Sequence, residues 1–293
     1  MSAEMLLYIG LLLGAGIFAG LAGGLFGIGG GIIMVPVLFI MFGAMGVPEA
    51  AQLQLAIGTS LAVIIVTSAR ALATHHKLGA VDWPIWRRWV PWIALGAGGA
   101  GFIARYLPTQ ILLTVFTLGA LFIGYNRLTG KQVTASPDGR AQDGVEEPAS
   151  ELASDRAAKK QKITMQFAPI LGTLTGLFSS LLGLGGGVAG VLVMSWSGRP
   201  MHRAVATASG FGLGVAIPGV IGFAIAGQGV AGLPWASIGY VSVPAFCVPA
   251  MVTAITAPIG ARLAHRVSAQ LLSRGFGVYV LIMAIFMVIE AIS

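Results

Sequence analysis

Two short runs of glycine carry most of the chemistry legible in this chain: Gly27-Ile-Gly-Gly-Gly31 and Gly183-Leu-Gly-Gly-Gly187. Glycine is the poorest helix former after proline, so three in a row, with a fourth two residues earlier, should halt a helix. A helix that restarts beyond them, at Ile32 or Val188, begins with unsatisfied N–H groups and the positive end of its dipole. With no side chain in the way, an anion can approach that backbone closely. Gly29, Gly30, Gly31, Gly185, Gly186 and Gly187 are therefore candidate substrate-binding positions. Polar side chains inside apolar stretches extend the set: Gln54, Thr59 and Ser60 in the first half, Thr207 and Ser209 in the second. Two readings of these hydroxyls stay open, a bond to the carbonyl one turn back or a contact with the ligand. A buried Gln54 amide needs partners of its own.

Other chemistry is poorly served. No strand precedes the glycines, and Ile32 stands where a dinucleotide-binding Gly-x-Gly-x-x-Gly needs its third glycine. His75, His76 and Lys77, expected in a loop, are too few for a metal site. Cys247 is the single cysteine and reads as a small buried hydrophobe. No constellation of nucleophile, base and metal ligand suggests an enzyme, so neither catalytic residues nor a cofactor are expected.

Membrane helices are expected to hold the glycines in place. Hydrophobic residues make up 56% of the chain and charged ones 9%, against about 25% charged in soluble domains. Between Glu4 and Arg70 the only charge is Glu49, and none occurs from Ala204 to Ala261. Several stretches approach the roughly 20 apolar residues that span a bilayer. No Lys or Arg precedes the apolar run from Met5, which argues against a cleaved secretory signal. The net charge of +7 fits Lys and Arg gathered in cytoplasmic loops better than a nucleic-acid surface. Trp83, Trp86, Trp89 and Trp92 read as interfacial anchors.

Residues 130–162 form a polar linker of mixed charge without an aromatic. It divides the chain into a first transmembrane repeat (1–127), a cytoplasmic linker (128–162) and a second repeat (163–293). Gly20–Leu38 lies over Gly176–Met194 at an offset of 156, including both glycine runs; Ala56–Ser60 lies over Val205–Ser209. Hydrophobic elements are expected near 5–26, 32–43, 50–69, 84–104 and 108–126, then near 164–182, 188–197, 202–226, 235–260 and 268–290. The second of each set is too short to span. If the first two elements of each half form a hairpin, the basic residues except Arg105 fall on one face. The expected fold is thus an all-α polytopic membrane protein of two inverted five-element repeats, each beginning with a Gly-broken helical hairpin. Both termini would be periplasmic. Gly16, Gly20 and Gly24, and likewise Gly172 and Gly176, have the four-residue spacing of close helix packing.

At Gly20–Pro36, Ala56–Ser60, Gly79-Ala-Val-Asp-Trp83, Gly176–Gly187 and Ser237-Ile-Gly-Tyr240 the chain resembles the TauE/SafE sulfite exporter family of bacterial membrane proteins. The resemblance implies two related halves in the inner membrane. It also implies movement of sulfite, sulfoacetate or a related organosulfonate out of the cytoplasm. Ser180 departs from the repeat, standing where the first half has Gly24. Implied partners are the small anion and the lipid bilayer, without nucleic acid; a homodimer is compatible. Uptake of thiosulfate or a sulfonate is the competing transport reading, and a non-transport membrane subunit the competing class.

Overall fold

The computed structural model describes residues 3–129, 167–187, 190 and 201–264, with 278, 281, 282 and 285. The linker beyond residue 129 and the element expected at 268–290 lie outside the described residues, as does all but residue 190 of the element expected at 188–197. Eight helices occur among the described residues: α1 (Ala3–Phe26), α2 (Gly31–Ala44), α3 (Glu49–Lys77), α4 (Trp83–Tyr106), α5 (Thr109–Thr129), α6 (Ala168–Leu181), α7 (Met201–Ala226) and α8 (Val243–Leu263). The only β pairing among them is an isolated bridge between Ser237 and Ser242. The spans Met5–Phe26 and Arg203–Ala226, with the whole of α3 and α8, are long and apolar enough to cross a membrane. The fourteen residues of α2 rise only about 21 Å, short of a hydrocarbon core of about 30 Å.

Helix α3 is the axis of the molecule. Residues Leu53 to Leu61 are buried without a break, as befits a helix apolar on every side. Helix α7 crosses it antiparallel, with Gly58 against Phe223, Leu61 against Gly219, Ser68 against Gly212 and Leu72 against Gly210. Helix α8 runs parallel to α3. The Ser242 N–H donates to Thr59 Oγ1 at 2.9 Å, and farther along Arg70 Nε donates to the Ala254 carbonyl at 2.9 Å. That carbonyl would ordinarily accept from residue 258, which is a proline and has no N–H. Helix α4 runs parallel to α7: the Asp82 N–H donates to Thr207 Oγ1 at 3.0 Å, and the Gly98 carbonyl lies against Gly222.

The four-spaced glycines seat the outer helices. Along α1, Gly16 meets Pro249 and Val252, Gly20 meets Thr253 and Thr256, and Gly24 meets Ala257 and Ala261, all on α8. A Cβ on Gly24 would overlap the Ala257 carbonyl oxygen, and one on Gly260 the Leu21 carbonyl oxygen. Helix α6 follows α4 in the same manner, with Gly172 at Trp92 and Gly176 at Ile93. Where α1 uses Gly24, α6 uses Ser180, whose hydroxyl donates to the Ala97 carbonyl at 3.3 Å. The departure from the repeat thus replaces a close approach by a hydrogen bond. Outward faces of α1 and α8 carry exposed large apolar side chains such as Leu7, Phe18, Met251 and Ile255, a surface that lipid solvates well.

Polar side chains reach carbonyls in the last turns of helices, where intrahelical N–H donors run out. Arg105 donates to Ala226 O at 2.8 Å, Gln54 Nε2 to Ala104 O at 3.4 Å, and His75 Nε2 lies 3.2 Å from Gly24 O. Near Arg105, burial pushes the Tyr240 phenol above its ordinary range while the guanidinium opposes the shift.

Five sequence expectations are corrected. His75, His76 and Lys77 form the last turn of α3 rather than a loop; cationic side chains suit a helix C-terminus, and Gly79 at φ +66° ends it. Helix α8 starts at Val243, not near 235, because the Ser237–Ser242 bridge occupies that stretch. Cys247 is exposed, one turn from Met251 on the outward stripe of α8. Trp89 is fully buried and part of the core, so it anchors nothing at an interface. Finally, the residue that answers Thr59 is Thr207, not Ala208, since each accepts the N–H that opens a helix of the other half.

This last pair gives a stability prediction. Thr59→Val or Thr207→Val leaves a buried N–H without its acceptor, at a cost of about 1–3 kcal/mol. Thermal unfolding in detergent should show a lowered midpoint for each variant and near wild-type behaviour for Thr59→Ser.

Candidate functional site

Helix α1 ends at Phe26 and α2 starts at Gly31. Between them Gly27, Gly29 and Gly30 have φ of +67°, +73° and +77°, a left-handed region that side chains rarely adopt. Helix α6 ends at Leu181, Gly183 and Gly185 have φ of +60° and +67°, and helix resumes at Gly187. The N-cap of α2 is Gly30, with no side-chain cap. Its first N–H groups therefore have neither a preceding turn nor a capping oxygen from their own N-cap side chain.

The two turns touch each other backbone to backbone. A Cβ on Gly31 would overlap the Gly183 carbonyl oxygen, and a Cβ on Gly187 would overlap the Gly27 carbonyl oxygen. Adding 156 to the first pair (27 and 31) yields the second (183 and 187), so the contact exchanges with itself. Each turn is also locked from behind. Gly30 presses on the Ala19 carbonyl, Gly27 on Val205 and Gly186 on Phe211.

Helix α3 supplies the floor. Ile64 packs against Gly29, Gly31 and Gly185, and so against both turns. One helical turn before it, Ser60 Oγ donates to Gly183 O at 3.3 Å. One turn after it, Ser68 Oγ lies 3.3 Å from where a Gly29 Cβ would stand. Ser60, Ile64 and Ser68 form one i, i+4, i+8 stripe beneath the glycines. Counting from Thr207 as the counterpart of Thr59, the same places on α7 hold Ala208, Gly212 and Ala216. The hydroxyls therefore come from one half only.

Of the sequence candidates, the glycines and Ser60 are brought together. The remaining four have partners elsewhere: Gln54 at Ala104, Thr59 at Ser242, Thr207 at Asp82, and Ser209 at Ala206 O, 2.6 Å away. Sequence reasoning missed Ser68 and Ile64. The four-residue step from Ser60 would have found both. The side chains packed on the turns are apolar or hydroxylic, so the local field comes from helix starts and peptide dipoles. The start of α2 contributes N–H donors, and the Gly27 and Gly183 carbonyl oxygens lie in the contact between the turns. Among the described residues, no cluster of His, Cys, Asp or Glu could hold a metal ion.

Comparison with known proteins decides the family. The model of the sulfite exporter TauE/SafE family matches residues 12–287, both glycine runs included. The chain belongs to the TauE/SafE family. A probable membrane transporter protein of Haemophilus influenzae is 29% identical over 98% of this chain and 100% of its own length. One from Methanocaldococcus jannaschii is 27% identical over 98% and 97%, and one from Bacillus subtilis 28% identical over 59% and 62%. No solved structure matches. This TauE/SafE member is a multi-pass membrane transporter, and its long apolar helices are the spans that such a protein requires.

Proposed function

We propose that this transporter exports a small sulfur oxyanion, such as sulfite, sulfoacetate or a related organosulfonate, from the cytoplasm. The anion binds near the bilayer midplane against the two glycine turns, which meet in an inverted repeat. The observation that carries the reading is the start of α2: a side-chain-uncapped helix N-terminus, buried against the middle of α3 and facing the second turn. In inverted-repeat transporters, broken helices of this kind aim their positive ends at anionic substrate. Support for the inverted repeat comes from helix direction. With α1 and α8 parallel to α3, and α4 and α6 parallel to the opposed α7, each pair of corresponding helices runs antiparallel.

The same directions gather Arg70, Lys77, Arg87, Arg88, Arg203 and Arg262 at one end and leave Arg105 at the other. Positive charge favours the cytoplasmic side, so the crowded end faces the cytoplasm of the inner membrane and the N-terminus faces outward. An inside-negative potential then drives an anion outward by about 2.3 kcal/mol per charge per 100 mV.

Purified protein should show a higher melting temperature with sulfite or sulfoacetate than with equal chloride, because ligand binding to the native state stabilises it. Proteoliposomes loaded with sulfite should release it faster under an inside-negative potential. A flat melting temperature across sulfite, sulfoacetate, thiosulfate and sulfate, with no flux, sinks the proposal. Potential-independent uptake of thiosulfate instead would establish the competing direction.

A further inference from the structure

We infer that Ser68 is the side-chain ligand of the transported oxyanion at the first glycine turn, its hydroxyl donating to the anion alongside the N–H groups that open α2. The inference rests on the oxyanion reading above and names a residue that reading does not require.

Serine and threonine hydroxyls inside a helix have a default partner. With no outside partner they usually donate to the carbonyl one turn back. Thr67 does so to Val63 at 3.0 Å, Thr74 to Arg70 at 2.9 Å and Thr173 to Pro169 at 2.8 Å. Ser68 sits beside Thr67 on the same helix, is 1% exposed, and its Oγ has no hydrogen-bond partner. A buried polar group left unpaired costs stability, so such a group calls for an explanation.

Its surroundings supply one. Ser68 Oγ reaches the Gly29 turn, and the facing position on α7 is Gly212, where a Cβ would overlap that oxygen. Space is thus kept for the hydroxyl between two glycines, one of them two residues before α2 begins. The N–H groups of a helix start only donate, so a ligand shared with them must accept hydrogen bonds, and a serine O–H can donate one more. A small oxyanion meets that demand with several oxygens, whereas a cation meets it with none. The lack of any hydroxyl at Ala208, Gly212 and Ala216 makes the assignment specific to the first turn.

The test is Ser68→Ala in the full-length protein, with sulfite as probe and chloride as reference. Without sulfite, the variant should melt at or above the wild-type temperature, because an unpaired buried hydroxyl has been removed. Its dissociation constant for sulfite, by titration calorimetry, should rise about ten-fold or more, the loss expected for a hydrogen bond to a charged group. Two results overturn the inference while leaving the oxyanion site standing: wild-type sulfite affinity in the variant, or a sulfite-free melting temperature lowered by several degrees, which marks a purely structural hydroxyl. Wild-type protein that binds none of sulfite, thiosulfate and sulfate removes both proposals together.

Discussion

Alanine at Gly31 or at Gly187 should cost the transporter both its stability and its flux. At Gly31 the new methyl would overlap the Gly183 carbonyl oxygen and stand 2.7 Å from Ile64 Cδ1. At Gly187 it would overlap the Gly27 carbonyl oxygen and the Ile28 Cα. Backbone cannot rotate aside as a side-chain tip can, so the turns must part. Overpacking of this kind typically costs about 1–3 kcal/mol and occasionally more, and contacts made by two backbones belong at the upper end. Each variant should melt several degrees lower and show little sulfite flux per folded molecule. The contrast lies at Gly14 and Gly99, helical positions where a Cβ meets nothing within 4 Å. Alanine there should be neutral or stabilising by up to about 1 kcal/mol, since glycine loses more conformational freedom on folding. Equal melting temperatures for Gly31→Ala and Gly14→Ala would show that the two turns do not meet.

The second large effect is expected where α1 lies along α8. Gly24→Leu and Gly260→Leu each place a side chain where the other helix has its carbonyl, at Ala257 and Leu21 respectively. Either change alone should force the helices apart and cost about 3 kcal/mol or more, at the high end of overpacking. The double variant should lose much less than the sum, because one insertion already opens the contact that the other would clash with. A double-mutant cycle on melting temperature or denaturant midpoint reads this directly. Strict additivity would mean that the two glycines do not share one interface.

Much of this architecture was legible because glycine speaks through what it lacks. The doubled runs announced helix stops, and the structure has positive φ at Gly27, Gly29, Gly30, Gly183 and Gly185. The four-residue spacing of Gly16, Gly20 and Gly24 announced close approach, and α8 is the helix that approaches. What stayed hidden was rotational phase. Helix α3 is apolar almost all round, so no polar stripe tells which face meets the turns. Ser60 drew notice through its neighbours in Ala56–Ser60, while Ser68 two turns later looked like any helical serine. The same missing phase let the match between halves slip by one residue, pairing Thr59 with Ala208. Only the two helix-opening N–H groups, from Asp82 and Ser242, fix the register at Thr207. The non-helical stretch before α8 eluded the sequence reading too, because Trp235 to Val241 is nearly as apolar as a helix and its turns are set by tertiary contacts.

The way α1 lies on α8, and α4 on α6 and α7, has a consequence for biogenesis. Each of these helices finds its main neighbour on the far side of the linker. A ribosome that has delivered the first five helices has inserted a set of partners still waiting for their mates. Until Val243–Leu263 emerges, the glycine flank of α1 lacks the helix on which it packs in the folded chain. Sequence symmetry divides this polypeptide into two, but maturation completes it as one.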